Sequence, residues 1–296
     1  MEIPIFYDAR QSVEGLNTYS PSAGKPKRFV EAMTTRHGEL NLQPVTPVTR
    51  DDLLLAHAKH HVDGIFNLTI LNGFENNDPR VPESCLWTCG SLATAAIHAH
   101  EYDTAVCSPT SGFHHAGYAW SGGYCTFNGL VVAAAKFIAA NQGKKVAILD
   151  LDWHYSDGTV DVLRHMPELA KSVLNITSGK YFNGDQNSGD FFEWLRKSIV
   201  QINDFKPDLV LYQAGADMSK FDPLGGLLTD TEMAHRDRLV FSLLKIPTVF
   251  CLAGGYREIH GELDPVIDIH RRTLEIANSI HRKNYDSILH QQIPTS

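Results

Sequence analysis

Six short apolar runs recur along the chain: Ile3–Tyr7, Thr104–Cys107, Val146–Asp150, Ser172–Ile176, Leu209–Gln213 and Thr248–Leu252. Several are continuous rather than alternating, which predicts strands covered on both faces. Longer stretches between them carry helical spacing and predict helices over Cys85–His100, Leu130–Asn141, Asp190–Asn203, Asp230–Lys245 and Leu263–His281. The alternation predicts an α/β fold, with a central, mostly parallel sheet and helices on both faces. No repeat or Pro/Gly/Ser-rich linker divides the chain, so residues 1–296 read as a single domain. The longest apolar stretch, Gly129–Ala140, contains Lys136 and is too short to cross a bilayer. It reads as a buried helix.

Ligands of open parallel sheets bind beyond the carboxyl ends of the strands. Four polar segments follow strands in this way: Phe113–Phe127, Asp150–Gly158, Ala214–Leu224 and Ala253–Glu258. The sheet would gather them at one rim. In the second, Asp150, Asp152, His154 and Asp157 fall within eight residues. If the chain is still extended there, the side chains of Asp152 and His154 leave on the same side, as a pair of metal ligands would. A capped loop opening a helix is the plainer alternative. Asp217, just past a strand and two small residues, could complete an Asp/His/Asp set with a position left for water. Alone it reads as a helix cap.

Tandem histidines more often mark an exposed polar loop, and His60-His61 reads so. His114-His115 has a different setting, among Gly112, Gly117, Gly122 and Gly123 and ahead of an apolar helix. A buried histidine pair requires hydrogen-bond partners, and Asp150 and Asp157 are the available carboxylates. Gly254-Gly255-Tyr256 at a strand end could admit a tyrosine hydroxyl to the same site, or simply pack a tyrosine at a turn. The other histidines, including His37, His57, His98, His100, His165, His235, His260, His270, His281 and His290, read as surface or packing residues.

Composition narrows the classes. A hydrophobic fraction of 43% with 20% charged residues is ordinary for a globular protein and excludes a disordered or fibrous chain. The net charge of −8 argues against general nucleic-acid or anionic-membrane binding. Five scattered cysteines form no zinc knuckle and no disulfide framework. The N-terminal residues lack the pattern of a signal peptide, so a reducing, cytoplasmic setting is expected.

Taken in this order, from Ser22-Ala23-Gly24-Lys25-Pro26-Lys27-Arg28 through Tyr256, these segments resemble the histone deacetylase family, with its bacterial members and acetylpolyamine amidohydrolases. The resemblance implies an arginase-like α/β fold and a zinc-dependent hydrolase of N-acyl amines, with acyl-lysine or a small acylated amine as substrate and hydroxamates as inhibitors. It implies zinc ligands at Asp152, His154 and Asp217, with His115 as general base and acid oriented by Asp157. It makes His114, held by Asp150, the electrostatic partner, and Tyr256 the group that polarises the acyl oxygen. Tyr124, beside Gly123, would wall an acyl-lysine tunnel opposite Phe182. Leu224 would line its mouth, Gly254 would also contact substrate, and Arg28 would guard a cavity beneath. A potassium ion is implied near Asp150, Asp152, His154, Asn175 and Ile176.

Phe113 stands where many members have Gly, and Tyr124 where Phe is common, so acyl preference is left open. The chain is short for the family, so rim loops are expected to be reduced. Tyr256 separates it from members that carry His there. A two-manganese ureohydrolase of the same fold would need carboxylates where Ser156 and Ser219 stand. A non-catalytic binder would need a broken catalytic set, and none is visible. Two carboxylates and an imidazole suit zinc or iron(II).

Overall fold

The computed structural model describes residues 2–182, 184, 186–257 and 265–292, the last from 282 onward by backbone alone. In chain order the elements are β1 (Ile5–Phe6), α1 (Lys25–His37), β2 (Leu42–Gln43), α2 (Arg50–Leu53), α3 (Lys59–Phe66), α4 (Arg80–Glu101), β3 (Ala105–Ser108), α5 (Gly129–Ala140), β4 (Val146–Asp150), α6 (Asp157–His165), α7 (Pro167–Ala170), β5 (Val173–Thr177), α8 (Ser188–Phe205), β6 (Leu209–Gln213), α9 (Asp230–Leu243), β7 (Thr248–Cys251) and α10 (Pro265–Gln292). The strands form one sheet in the order β2-β1-β3-β7-β6-β4-β5, and every pairing is parallel.

The period of two along each strand divides the core. Ala147 and Leu149 of β4, Val210 and Tyr212 of β6, and Phe250 of β7 pack on one face, with Phe29 and Met33 of α1 and Ile199 and Ile202 of α8. Val146 and Ile148, Leu209 and Leu211, and Val249 turn to the other face, against Leu92 and Ala96 of α4 and Leu130 and Val131 of α5. Every residue of β4 and β6 is buried, so both strands are apolar until their last residues, Asp150 and Gln213, which are buried polar groups at the rim.

The sheet and its covering helices match the α/β expectation, with shifts at element ends. Helix α4 starts at Arg80, five residues before the expected Cys85, with Pro82 tolerated in its first turn. The expected start of the last helix, Leu263, lies outside the described residues, as do Glu258 and His260. Sequence periodicity passed over α1, α3, α6 and the two-residue β2. His60-His61 needs correcting: the pair lies in α3, where His60 is exposed but His61 is fully buried against Phe127. A helix turns consecutive residues about 100° apart, so adjacent histidines can face solvent and core. Among the described residues no helix is long and apolar enough to cross a membrane.

Candidate active site

Because the strands are parallel, the carboxyl ends of β3, β4, β6 and β7 share one rim, and the side chains singled out above cluster there. Asp150 is the last residue of β4. Its Oδ2 meets His114 Nδ1 at 2.7 Å, while its Oδ1 accepts from the Asp152 amide and from Gln213 Nε2, each at 3.1 Å. Gln213, the last residue of β6, accepts the Phe113 amide with its Oε1. It thus ties the histidine loop to the strand end. Sequence reasoning missed Gln213, because a glutamine closing a strand carries no signal of its own.

Asp157 opens α6, where the helix dipole favours a carboxylate. Its Oδ1 lies 2.6 Å from His115 Nδ1. Burial works against its charge, but the hydrogen bond from His115 lowers its pKa below the ordinary carboxylate value. With Nδ1 engaged by Asp157, Nε2 is the nitrogen of His115 left to meet a further partner. Its ring stands 4.2 Å from that of His114 and 5.7 Å from that of His154, centroid to centroid. Gly123 lies against the His115 ring, where an added Cβ would come within 2.4 Å.

Asp152, His154 and Asp217 converge as a set, with one ligand atom from each lying within 4.8 Å of the others. His154 Nδ1 is 2.9 Å from Asp217 Oδ2 and 3.3 Å from Asp152 Oδ1. Gly254, at φ +57°, presses its backbone on the pair, and a Cβ there would come within 2.6 Å of Asp217 and 2.8 Å of Asp152. Donors around a tetrahedral zinc ion at ~2.0–2.2 Å lie roughly 3.3–3.5 Å apart, close to these spacings. The electrostatics agree. Burial opposes a charge on His154, yet its hydrogen bonds to Asp152 and Asp217 push it up to about 10. Burial and the neighbouring Asp152 push Asp217 up to about 7. Asp152 is held well below the ordinary range, because His114 and His154 outweigh its burial. Likewise His114 is pushed up to about 9, the charges of Asp150 and Asp152 exceeding the cost of burial. Two buried carboxylates that compete for one proton in this way suit a divalent cation, and the residues fit one.

Tyr256 and Asp152 line a narrow cleft of about 20 Å³, room for about one water, with His114, His115, Tyr124, Cys125 and Gly254. The Tyr124 and Tyr256 rings are 5.6 Å apart. Burial raises the Tyr256 hydroxyl well above its ordinary pKa, so it remains a proton donor. Two further residues hold this wall. Buried Asp222 accepts the Tyr256 amide at 2.6 Å and the Leu224 amide at 3.0 Å. Lys25, 2% exposed, donates to Leu252 O at 3.0 Å and to Gly254 O. A lysine in a helix first turn gives no sequence cue to burial, so it too was missed.

Leu224 is 40% exposed on the Asp222–Gly226 turn, and Arg28 lines a small cavity with Lys25 and Tyr256. Phe182 stands elsewhere than expected. Its ring packs edge-on against Phe191 and Trp194 of α8, each at 5.4 Å, inside the core, and Tyr181 is the exposed member of the pair. Asn175 and Ile176 fall short of the implied potassium position, because β5 pairs Thr177, not Asn175, with Asp150. Asn175 donates to Ser156 Oγ at 3.3 Å, and Ile176 packs in the core. The oxygen that meets the carbonyls of Asp150 and Asp152 is Ser178 Oγ, at 3.3 and 2.7 Å.

Similarity to known proteins agrees with this geometry. Acetylpolyamine amidohydrolase 2 of Pseudomonas aeruginosa is 28% identical over 176 residues, covering 51% of this chain and 50% of the relative. The chain thus matches about half the length of that curated relative. Histone deacetylase B of Dictyostelium discoideum is 24% identical over 262 residues, covering 74% and 61%. Among solved structures, an acetylpolyamine aminohydrolase from Burkholderia pseudomallei superposes with TM-score 0.73 at 16% identity, covering 94% of this chain and 99% of the other. The HDA15 HD domain superposes with TM-score 0.75 at 19% identity, covering 94% and 92%. These two likenesses speak for the arginase/deacetylase-like fold. The histone deacetylase domain family matches residues 22–179 and 170–263. The chain belongs to the histone deacetylase family.

Proposed function

We propose that this protein is a zinc-dependent amidohydrolase that removes acetyl or other acyl groups from the side-chain amine of acyl-lysine. One observation carries the reading: Asp152, His154 and Asp217 converge, and Asp152 lines a narrow cleft with two aspartate-held histidines and Tyr256. A divalent cation at the three ligands supplies Lewis-acid polarisation of the scissile carbonyl and a water of lowered pKa. His115, oriented by Asp157, takes the proton from water and returns it to the leaving amine, a role worth about 10²–10⁴-fold in rate. His114, held by its hydrogen bond to Asp150, balances charge next to it. The Tyr256 hydroxyl donates to the acyl oxygen as negative charge develops there.

Tyr124 and Tyr256 offer aromatic walls to a methylene chain, and Leu224 lies on the adjoining turn. A hydroxamate should compete for the metal. Potassium, implied by resemblance, belongs to the same reading, beside the carbonyls of Asp150 and Asp152 with Ser178 in place of Asn175 and Ile176. A cytoplasmic setting belongs to it as well, supported by five free cysteines.

A second reading, hydrolysis of N-acetylated polyamines, is favoured by the relative from Pseudomonas aeruginosa that carries that name. Comparing kcat/KM for an acetyl-lysine peptide with that for N-acetylputrescine and N-acetylspermidine separates the two. The acyl-lysine reading expects the peptide to be preferred at least tenfold. A preference of that size for the polyamines would replace it with the second reading.

A further inference from the structure

The two carboxylate ligands leave the sheet where its hydrogen bonding stops. The ladder between β4 and β6 ends at the pair Asp150 and Gln213. Asp152 and Asp217 lie just beyond, where the segments are joined by Leu151 N–H to Gln213 O at 3.1 Å and Trp153 N–H to Asp217 Oδ1 at 3.2 Å. Backbone carbonyls there have lost their strand partner and require another donor. One side chain supplies it to both segments. Arg236 of α9 is fully buried, and its Nη1 donates to Gly215 O at 2.6 Å and reaches Leu151 O at 3.4 Å. Leu151 adjoins Asp152, and Gly215 lies two residues before Asp217.

The guanidinium is balanced from behind. Its Nε donates to Asp237 Oδ1 at 2.9 Å, and Asp237 also accepts from the hydroxyls of Tyr212 and, at 2.6 Å, Thr273. Nη2 has no hydrogen-bond partner among the described residues. A buried ion pair is weak evidence of stabilisation, since an apolar side chain often fills such a space at least as well. Contacts between the two segments suggest what the charge is for. A Cβ at Gly215 would come within 2.4 Å of Asp152 Cα, so the segments touch, and any change in their separation changes the spacing of the two ligands.

We propose that Arg236 is a positioning residue: its bridge between the carbonyls of Leu151 and Gly215 sets the separation of Asp152 and Asp217 and thereby the affinity for the metal. The inference rests on the metal reading above. Partners that orient metal ligands without touching the metal commonly change affinity by about 10–100-fold when replaced. Lysine at this position keeps the charge but loses the fork that spans two carbonyls and a carboxylate.

The test is zinc titration of apo protein against a competing chelator, with the melting temperature of each apo protein measured alongside. Arg236→Lys should fold and bind zinc about 10–100-fold more weakly than wild type, and excess zinc should restore part of its lost turnover. Arg236→Met should bind more weakly still. Thr273→Val loosens Asp237 without touching the guanidinium, and it should weaken zinc binding by a smaller factor. It decides the matter should both Arg236 variants fail to fold. A folded Arg236→Lys, or failing that a folded Thr273→Val, with zinc affinity within twofold of wild type overturns the proposal alone. Wild-type protein that binds no zinc in the same titration overturns the metal reading, and this inference with it.

Discussion

The role proposed for Tyr256 depends on residues that hold its backbone in place. Asp222 holds its amide, and Lys25 grips the carbonyls of Leu252 and Gly254 just before it. These contacts fix the backbone that carries the Tyr256 ring, and a donor positioned in advance is what an oxyanion requires. Tyr256→Phe removes only that donor. It should leave metal content unchanged and lower kcat by roughly 10²–10³, about 2.7–4 kcal/mol of transition-state stabilisation. Steady-state kinetics with metal analysis on the same sample checks this, and full turnover in the variant would remove Tyr256 from the mechanism. The residues proposed to carry chemistry were legible because their types are unusual where they stand: three carboxylates and an imidazole directly after an apolar run, and histidines amid glycines. Asp222, Gln213 and Lys25 were not legible as parts of the site. An aspartate in a turn, a glutamine at a strand end and a lysine at a helix start are each ordinary, and only long-range packing gives them a role.

At the scale of elements, the loop carrying Gly123, Tyr124 and Cys125 is anchored at both ends by one neutral histidine. His57 Nδ1–H donates to Gly117 O at 2.9 Å, while its Nε2 accepts the Asn128 amide at 2.8 Å. Protonation would set two N–H groups against each other at Nε2. His61 of α3 lies 5.9 Å away, ring to ring, and shares the contact with Phe127. Burial, and for His57 the neighbouring His61, depress these imidazoles to about 3 and about 4. Above the unfolded value of 6.5 both states are neutral and neither residue affects stability. As pH falls below that value, the unfolded chain takes up protons that the folded one refuses, so stability is lost down to about pH 4 for His61 and about pH 3 for His57. At pH 5 the loss amounts to about 2 kcal/mol per histidine. Denaturant unfolding at pH 7.5 and pH 5 should show it, and His57→Gln should flatten the slope; a slope unchanged in the variant would contradict this. Elements with strong apolar runs were legible to within a few residues. Helices α1, α3 and α6 were not, because polar and charged side chains dominate their exposed faces and the buried stripe is brief.

Across the whole molecule, function follows from parallel strands that end together. The apolar runs foretold the sheet but not the strand order, in which β6 inserts between β4 and β7 and sets Asp217 beside Asp152. That order comes from packing both sheet faces under helices far apart in sequence, which local pattern does not encode. The proposed chemistry rests on a single divalent ion held by Asp152, His154 and Asp217. Its most direct test removes bound metal by chelation and titrates zinc back, following hydrolysis of an acetyl-lysine peptide. Activity should be absent from the stripped protein and return along a line that saturates at one zinc per chain. Activity that persists in metal-free protein, or that saturates only at two ions per chain, would contradict it.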